Sequence, residues 1–273
     1  MTLNYFNYAH FLTILAAAGF IAIFYFTLKN RSSSAKEMAV YILMGINLTQ
    51  HFYKSFFWPH VWGSGFGIIN TAYNVCAILI ISSPLIFVSR SPVLKQYIAY
   101  VGTIGPAVSM LVPYWFIGST MLQWEYLRFW TCHTLLLATS LLPALWGMVK
   151  FNFRDGWKFG FVFLAMLSLI LLNDTVFLLI LGAATKKTLY DTLLAYNPLW
   201  TMAPQGGIEQ FKAVFEALSL PFLLETESHP YIPILWYAIP MYLLITLAGY
   251  ILGAITDRKR VFGQSRHMIE KPT

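Results

Sequence analysis

Phe159-Gly-Phe-Val-Phe-Leu-Ala-Met-Leu-Ser-Leu-Ile-Leu-Leu-Asn173-Asp174-Thr-Val-Phe-Leu-Leu-Ile-Leu-Gly-Ala-Ala184 decides the fold. The run is longer than the roughly 20 apolar residues a helix needs to cross a bilayer. Near its middle it carries a carboxylate, whose presence at hydrocarbon depth costs roughly 3 kcal/mol or more unless it is paired, hydrated or functional. Asp174 therefore calls for partners. Other apolar runs offer His51, Lys54, Cys76 and His133 at comparable depth.

Composition agrees with that reading. The chain has 273 residues, 58% hydrophobic and 11% charged, where a soluble domain carries about 25% charged residues. The expectation is an all-α, polytopic protein, integral to a bacterial cytoplasmic membrane, forming one domain over residues 1–273. The net charge of +7 would suggest nucleic acid in a soluble protein. Here it is concentrated in particular loops, and no nucleic-acid partner is expected. Met1 to Asn30 reads as a first span, because it lacks a basic leader and its apolar stretch is long. Ala16-Ala17-Ala18 leaves a cleaved signal as the alternative.

Seven runs have spanning length, at about 9–28, 38–57, 66–88, 96–116, 127–149, 158–183 and 231–255. Most of the eighteen Lys and Arg residues fall after the first, third and fifth runs and in the tail. The excess of basic residues on the cytoplasmic side then puts the N-terminus outside and the C-terminus inside. Gly102, Gly105, Pro106 and Pro113 are expected to kink or break the fourth run. Gly249 and Gly253 make a small-xxx-small packing face in the last one. The long connection 184–230 holds Ile208, Phe211, Val214, Phe215 and Leu218 at helical spacing. That pattern suits an interfacial helix near 208–220.

The second run carries Asn47, Gln50, His51 and Lys54 at i, i+3, i+4 and i+7, one stripe on an otherwise apolar helix. Such a stripe avoids lipid, so it is expected to face a cavity and to contact a substrate there. At 1.5 Å per residue, Cys76 lies roughly 15 Å inside the third run and Asp174 at a similar depth. His133 and His51 lie roughly 10 Å down. Cys76 shares a face with Tyr73, whereas Asn74 points about 200° away on an ideal helix.

A thiol in apolar surroundings is inert without a nearby base. His133 could take its proton, with Asn173 or Asp174 fixing the imidazole. Spacing alone leaves open whether Cys76 and His133 touch. No metal is expected, since His51, His133 and Asp174 lack close ligand spacing, and no cofactor is implied.

The order of these features resembles a known family. It runs from Asn74-Val75-Cys76, through a broken span ending Leu111-Val112-Pro113, to His133-Thr-Leu-Leu-Leu and Asn173. The loop Leu193-Leu-Ala-Tyr-Asn197-Pro198-Leu-Trp200 follows. The chain is similar to the YwaF-type bacterial integral membrane family, which is related to the transmembrane ether-phospholipid acyltransferase of animals. The androgen-induced fatty-acid-ester hydrolases are more distantly alike. The resemblance implies acyl transfer on a phospholipid or lysophospholipid, with Cys76 as nucleophile, His133 as base and a cysteine thioester between the two half-reactions. Transfer to water would make the protein a lipid hydrolase. The alternative is an ion-coupled transporter using Asp174, Lys54 and His51. A retinal-type pigment is disfavoured, since residues 231–255 hold no lysine for a Schiff base.

Overall fold

A computed structural model describes residues 2–57, 67–113, 116–185, 212–227 and 230–256. Its helices are α1 (Tyr8–Leu28), α2 (Ser33–Phe57), α3 (Val75–Val88), α4 (Pro92–Leu111), α5 (Trp124–Leu145), α6 (Gly156–Thr185), α7 (Lys212–Leu218) and α8 (Leu235–Thr256). Short 3-10 turns at Ile68–Asn70, Phe153–Asp155 and Pro221–Leu223 join them. The extended pairing among the described residues is one isolated bridge between Thr2 and Thr120. The chain divides into two compact units, Met1–Val149 and Lys150–Thr273.

The protein is a multi-pass membrane protein. Phe11, Leu15 and Ile23 on α1 are exposed, as are Leu169, Leu172 and Ile180 on α6 and Leu247, Ile251 and Ile255 on α8. Rows of large apolar side chains on the outside of a helix are stable against lipid, not water.

The expectation of seven spans is corrected. Among the described residues, four helical stretches are long and apolar enough to cross a membrane: Tyr8–Leu28, Ile68–Val88, Phe153–Ile180 and Leu235–Thr256. The helices α2, α4 and α5 fall short because polar residues dilute their apolar runs. The first carries Lys36 and Glu37 besides the polar stripe that ends at Lys54, the second Lys95 and Gln96, and the third Glu125, Arg128 and His133. The orientation, which alternated sides over seven spans, goes with that count. The basic tail from Arg258 onward, the 193–200 loop and residues 208–211 lie outside the described residues.

In the first unit, α5 packs against α1, α2, α3 and α4. Leu135, Leu136, Ala138 and Leu142 on α5 are buried, with Ile21, Leu43 and Ala9 among the buried residues of α1 and α2. Despite Gly105 and Pro106, α4 runs unbroken to Leu111. Gly102 serves close packing there, since a Cβ at that position would collide with the Ser140 hydroxyl of α5. Where α5 ends, Gly147 takes φ 74°, a left-handed conformation that favours glycine. Its neighbour Met148 returns a hydrogen bond of 2.9 Å to the Pro143 carbonyl.

In the second unit, α6 and α8 meet through glycines. A Cβ on Gly249 would lie 2.6 Å from the Phe159 ring and 3.0 Å from the Gly156 carbonyl, and one on Gly253 would lie 2.6 Å from the Phe153 Cα. The small-xxx-small pair is thus a packing face that lets two backbones approach. The short helix α7 is more than an interfacial float. Phe215 is buried and stacks on Tyr237 at 5.5 Å between ring centroids, while Tyr231 donates to the Glu216 carboxylate. The Ser219 hydroxyl also donates to the Trp236 carbonyl.

Candidate functional site

The polar stripe of α2 is buried in the first unit: Asn47, His51 and Lys54 are at most 4% exposed, and Gln50 is half-buried. Asn47 Nδ2 donates to the Cys132 carbonyl of α5 at 3.2 Å. His51 Nε2 lies 3.1 Å from the Thr71 carbonyl. A carbonyl oxygen only accepts, so Nε2 carries the proton and Nδ1 keeps its lone pair. Lys54 Nζ lies 3.5 Å from that Nδ1 and 4.5 Å from the centre of the Tyr73 ring. Among the described residues Asn47 Oδ1 and Gln50 Oε1 are buried acceptors without a hydrogen-bond partner.

The segment that leads into α3 is fastened to this stripe. Asn70 is fully buried; its Nδ2 donates to the Phe52 carbonyl at 2.7 Å, and its Oδ1 accepts from the Gly67 amide at 3.0 Å. The Thr71 hydroxyl donates to the Ile68 carbonyl at 2.6 Å. These bonds spend the chain's polar groups on a 3-10 turn and an extended stretch, so residues 67–74 do not form one continuous helix with α3. The α-helix begins only at Val75, with Asn74 as its N-cap: Asn74 Oδ1 accepts from the Ala77 amide at 2.8 Å.

The late start of α3 changes the setting of Cys76. The sequence placed it mid-helix; the structure places it, half-buried, in the first turn. The Ala77 amide is taken by Asn74 Oδ1 and the Ile78 amide by the Asn74 carbonyl at 2.9 Å. Among the described residues the Val75 and Cys76 amides are then the first-turn donors left without an acceptor. Unbonded amides and the helix dipole at an N-terminus both favour negative charge.

On α5, His133 is half-buried and its ring lies 4.2 Å from that of Phe129, centre to centre. His133 Nδ1 donates to the Phe129 carbonyl at 2.8 Å, which leaves Nε2 with the lone pair. The nitrogen that an orienting side chain would hold is thus already held by backbone. Among the described residues no hydrogen bond joins Cys76 to His133. Cys132 and Tyr73 lie within electrostatic reach of Cys76, and Arg128 within electrostatic reach of His133. Both cysteines are free thiols.

In the second unit, Asp174 is fully buried on α6. Its Oδ1 accepts from Asn173 Nδ2 at 2.9 Å, and among the described residues its Oδ2 has no hydrogen-bond partner. Among the described residues no three His, Cys, Asp or Glu side chains gather as a metal-ligand set.

Sequence reasoning passed over three residues. Asn70 was not singled out, and Asn74 was placed only by its angle from Cys76, although Asn just ahead of an apolar run is an N-cap signal. Arg128 was not singled out either. In the structure its Nε is buried without a partner, within electrostatic reach of Lys54 and Tyr73.

No curated protein and no solved structure matches the chain. A family model described as the TMEM164 family matches residues 5–200, which contain the stripe, both cysteines, His133 and Asp174. The chain belongs to the TMEM164 family.

Proposed function

We propose that the protein transfers acyl chains between phospholipids through a thioester on Cys76. The observation that carries this reading is the place of Cys76 in the first turn of α3, beside two open backbone amides. A nucleophile there has donors at hand for the oxyanion that forms on the carbonyl it attacks. The likeness to YwaF-type proteins and the animal ether-phospholipid acyltransferase supports the same reading.

The chemistry balances in two steps. Cys76 Sγ bonds to the acyl carbonyl carbon of a phospholipid ester, and its thiol proton passes to His133 Nε2. The ester C–O bond breaks, and the departing lysophospholipid alkoxide takes that proton. A hydroxyl of a second lysophospholipid then attacks the thioester and loses its proton to His133 Nε2. Sγ leaves and is reprotonated by His133, which regenerates the thiol. Asn47, Gln50, His51, Lys54 and Tyr73 contact the headgroup and glycerol of the substrate. Among the described residues no hydrogen bond joins Cys76 to His133, so this reading requires the two side chains to approach one another when lipid binds.

The test is turnover of a phospholipid carrying an isotopically labelled acyl chain in vesicles holding the purified protein. Labelled chains should appear on an added lysophospholipid with wild type and not with Cys76→Ala. Equal transfer by the two would overturn the proposal.

A second reading rests on one observation, the buried Asp174 Oδ2 without a partner. A lone carboxylate at that depth also suits proton- or cation-coupled transport. Ion flux in vesicles that survives Cys76→Ala and is lost in Asp174→Asn would favour transport.

A further inference from the structure

Between α1 and α4 the first unit leaves an apolar groove of about 480 Å³, with Leu137 and Leu141 of α5 between the two helices. Small side chains make the room: Ala17, Ala18 and Ala22 on α1 and Ala107 on α4. Its α1 side extends from Ile14 to Phe26, a length of about 18 Å at 1.5 Å per residue. One leaflet of a bilayer's hydrocarbon core is about 15 Å deep, so the groove has the length of one lipid tail. An α-helix of that length and a diameter of 10 Å occupies roughly 1,400 Å³, about three times the space present. The groove takes a chain and refuses a helix. Because α1 is long and apolar enough to cross a membrane, lipid is what the groove meets.

Its two ends differ in chemistry. At one, His10 Nδ1 accepts from the Phe6 amide, so Nε2 donates to the carbonyl of Met110, a lining residue, at 2.8 Å. That bond ties α1 to α4 and uses both ring nitrogens. At the other end, Lys29 Nζ lies 4.9 Å from the centre of the Phe26 ring, and Tyr25 lines the groove beside it. Arg31 follows two residues on, and among the described residues neither Lys29 nor Arg31 joins an ion pair. Trp146 packs on the same buried cluster as Tyr25, and among the described residues its Nε1 is buried without an acceptor. Tyr and Trp rings beside a cation mark the level where hydrocarbon gives way to headgroups.

We propose that this groove binds one tail of an anionic phospholipid, whose headgroup sits at Lys29 and Arg31. The slot is apolar over one leaflet's depth and cationic at a single end, which is the complement of such a lipid. The bound lipid fills the gap between α1 and α4 and is not consumed. Its site is separate from the polar stripe: Lys54 lies about 30 Å along α2 from Ser33, the residue that opens α2 after the turn holding Lys29 and Arg31. The assignment does not depend on acyl transfer.

Native mass spectrometry from detergent micelles tests it with diether phosphatidylglycerol and diether phosphatidylcholine of the same chains. Neither carries an acyl ester, so turnover at Cys76 cannot consume the probe. Wild type should hold the phosphatidylglycerol at least about tenfold tighter, the order expected of two basic side chains at an anionic headgroup. Lys29→Gln combined with Arg31→Gln should erase that preference. Ala18→Leu combined with Ala22→Leu fills the groove from two exposed positions and should cut retention of both lipids severalfold. Without added lipid this variant should melt with wild type. Phosphatidylglycerol should raise the melting temperature of wild type and not that of the filled variant.

Equal retention of the two lipids by wild type would overturn the proposal, as would a preference that survives loss of both cations. Undiminished lipid retention in the filled variant would also overturn it. If wild type runs as a dimer that the Leu substitutions break while lipid retention stays the same, the groove is a contact between copies and the lipid assignment falls.

Discussion

Asn74 Oδ1 accepts a hydrogen bond from the Ala77 amide at 2.8 Å, and Cys76 lies between those two residues in the first turn of α3. The cap fixes where the helix starts, and with it which amides remain open beside the thiol. Replacing a capping Asn by Ala costs about 1 kcal/mol. Asn74→Ala is expected to slow acylation of Cys76 well beyond its effect on thermal stability, because it frees the helix start to shift. Asn74→Asp, which keeps the cap, is expected to stay close to wild type in both. Acylation rate and melting temperature, measured side by side, check this.

His133 presents Nε2 because Nδ1 is tied to the Phe129 carbonyl at 2.8 Å. Removing a general base costs roughly 10²- to 10⁴-fold in rate. His133→Phe should lower the rate of acyl transfer within that range and leave lipid binding in place. If transfer rates are unchanged, another group takes the thiol proton.

Packing of α6 on α8 depends on positions where a side chain has no room. Gly249 would bring a Cβ within 2.6 Å of the Phe159 ring, and overfilling a packed contact costs about 1–3 kcal/mol. Gly249→Val is expected to lower the thermal transition by several degrees. Gly45, whose Cβ direction is open, should tolerate Ala with little change. Melting curves in one detergent compare them.

The contact of α7 with residue 231 is held by groups that titrate in alkali. Hydrogen bonding to Tyr231 and the nearby Glu216 charge raise Lys212 above its ordinary 10.5, and burial raises Tyr231 above its ordinary 10.0. A group raised on folding stabilises the folded form below its unfolded value and loses that contribution as pH climbs through the raised one. Docking of α7 should therefore be constant from pH 7 to 9 and weaken above about pH 10. A spin label at Ala213→Cys, in a protein with Cys76 and Cys132 replaced by Ala, should show that onset. The same label in a Tyr231→Phe protein should be more mobile already at pH 8.

Parts of this molecule were plain in the sequence for physical reasons. Three-four spacing put Asn47, Gln50, His51 and Lys54 on one side of an apolar helix, and three of the four are buried in the structure. Gly249 and Gly253 sit one turn apart, and one turn is the repeat of a close helix contact. The span count was not legible. Length alone does not separate a lipid-spanning helix from one such as α5, whose Glu125, Arg128 and His133 are tolerated by packing within the first unit. The start of α3 was hidden too. The run from 66 is apolar enough to read as helix, and only the hydrogen bonds of Asn70 and Thr71 show that the backbone of residues 67–74 turns elsewhere. Every depth and face inferred for Cys76 inherited that error. The bond that holds His133 Nδ1, to a carbonyl one turn back on the same helix, is not legible from residue types.

The most direct measurement is the intact mass of the purified protein after incubation with phospholipid vesicles, before and after hydroxylamine. Wild type, Cys76→Ala, Cys132→Ala and His133→Phe would be compared, with release of lysophospholipid followed in parallel. Acyl transfer through Cys76 predicts a mass gain of one acyl chain that hydroxylamine removes. The gain should be absent from Cys76→Ala, present in Cys132→Ala and slow to form in His133→Phe. An adduct of equal size on Cys76→Ala, or neither adduct nor lysophospholipid from wild type across a range of phospholipids, would contradict it.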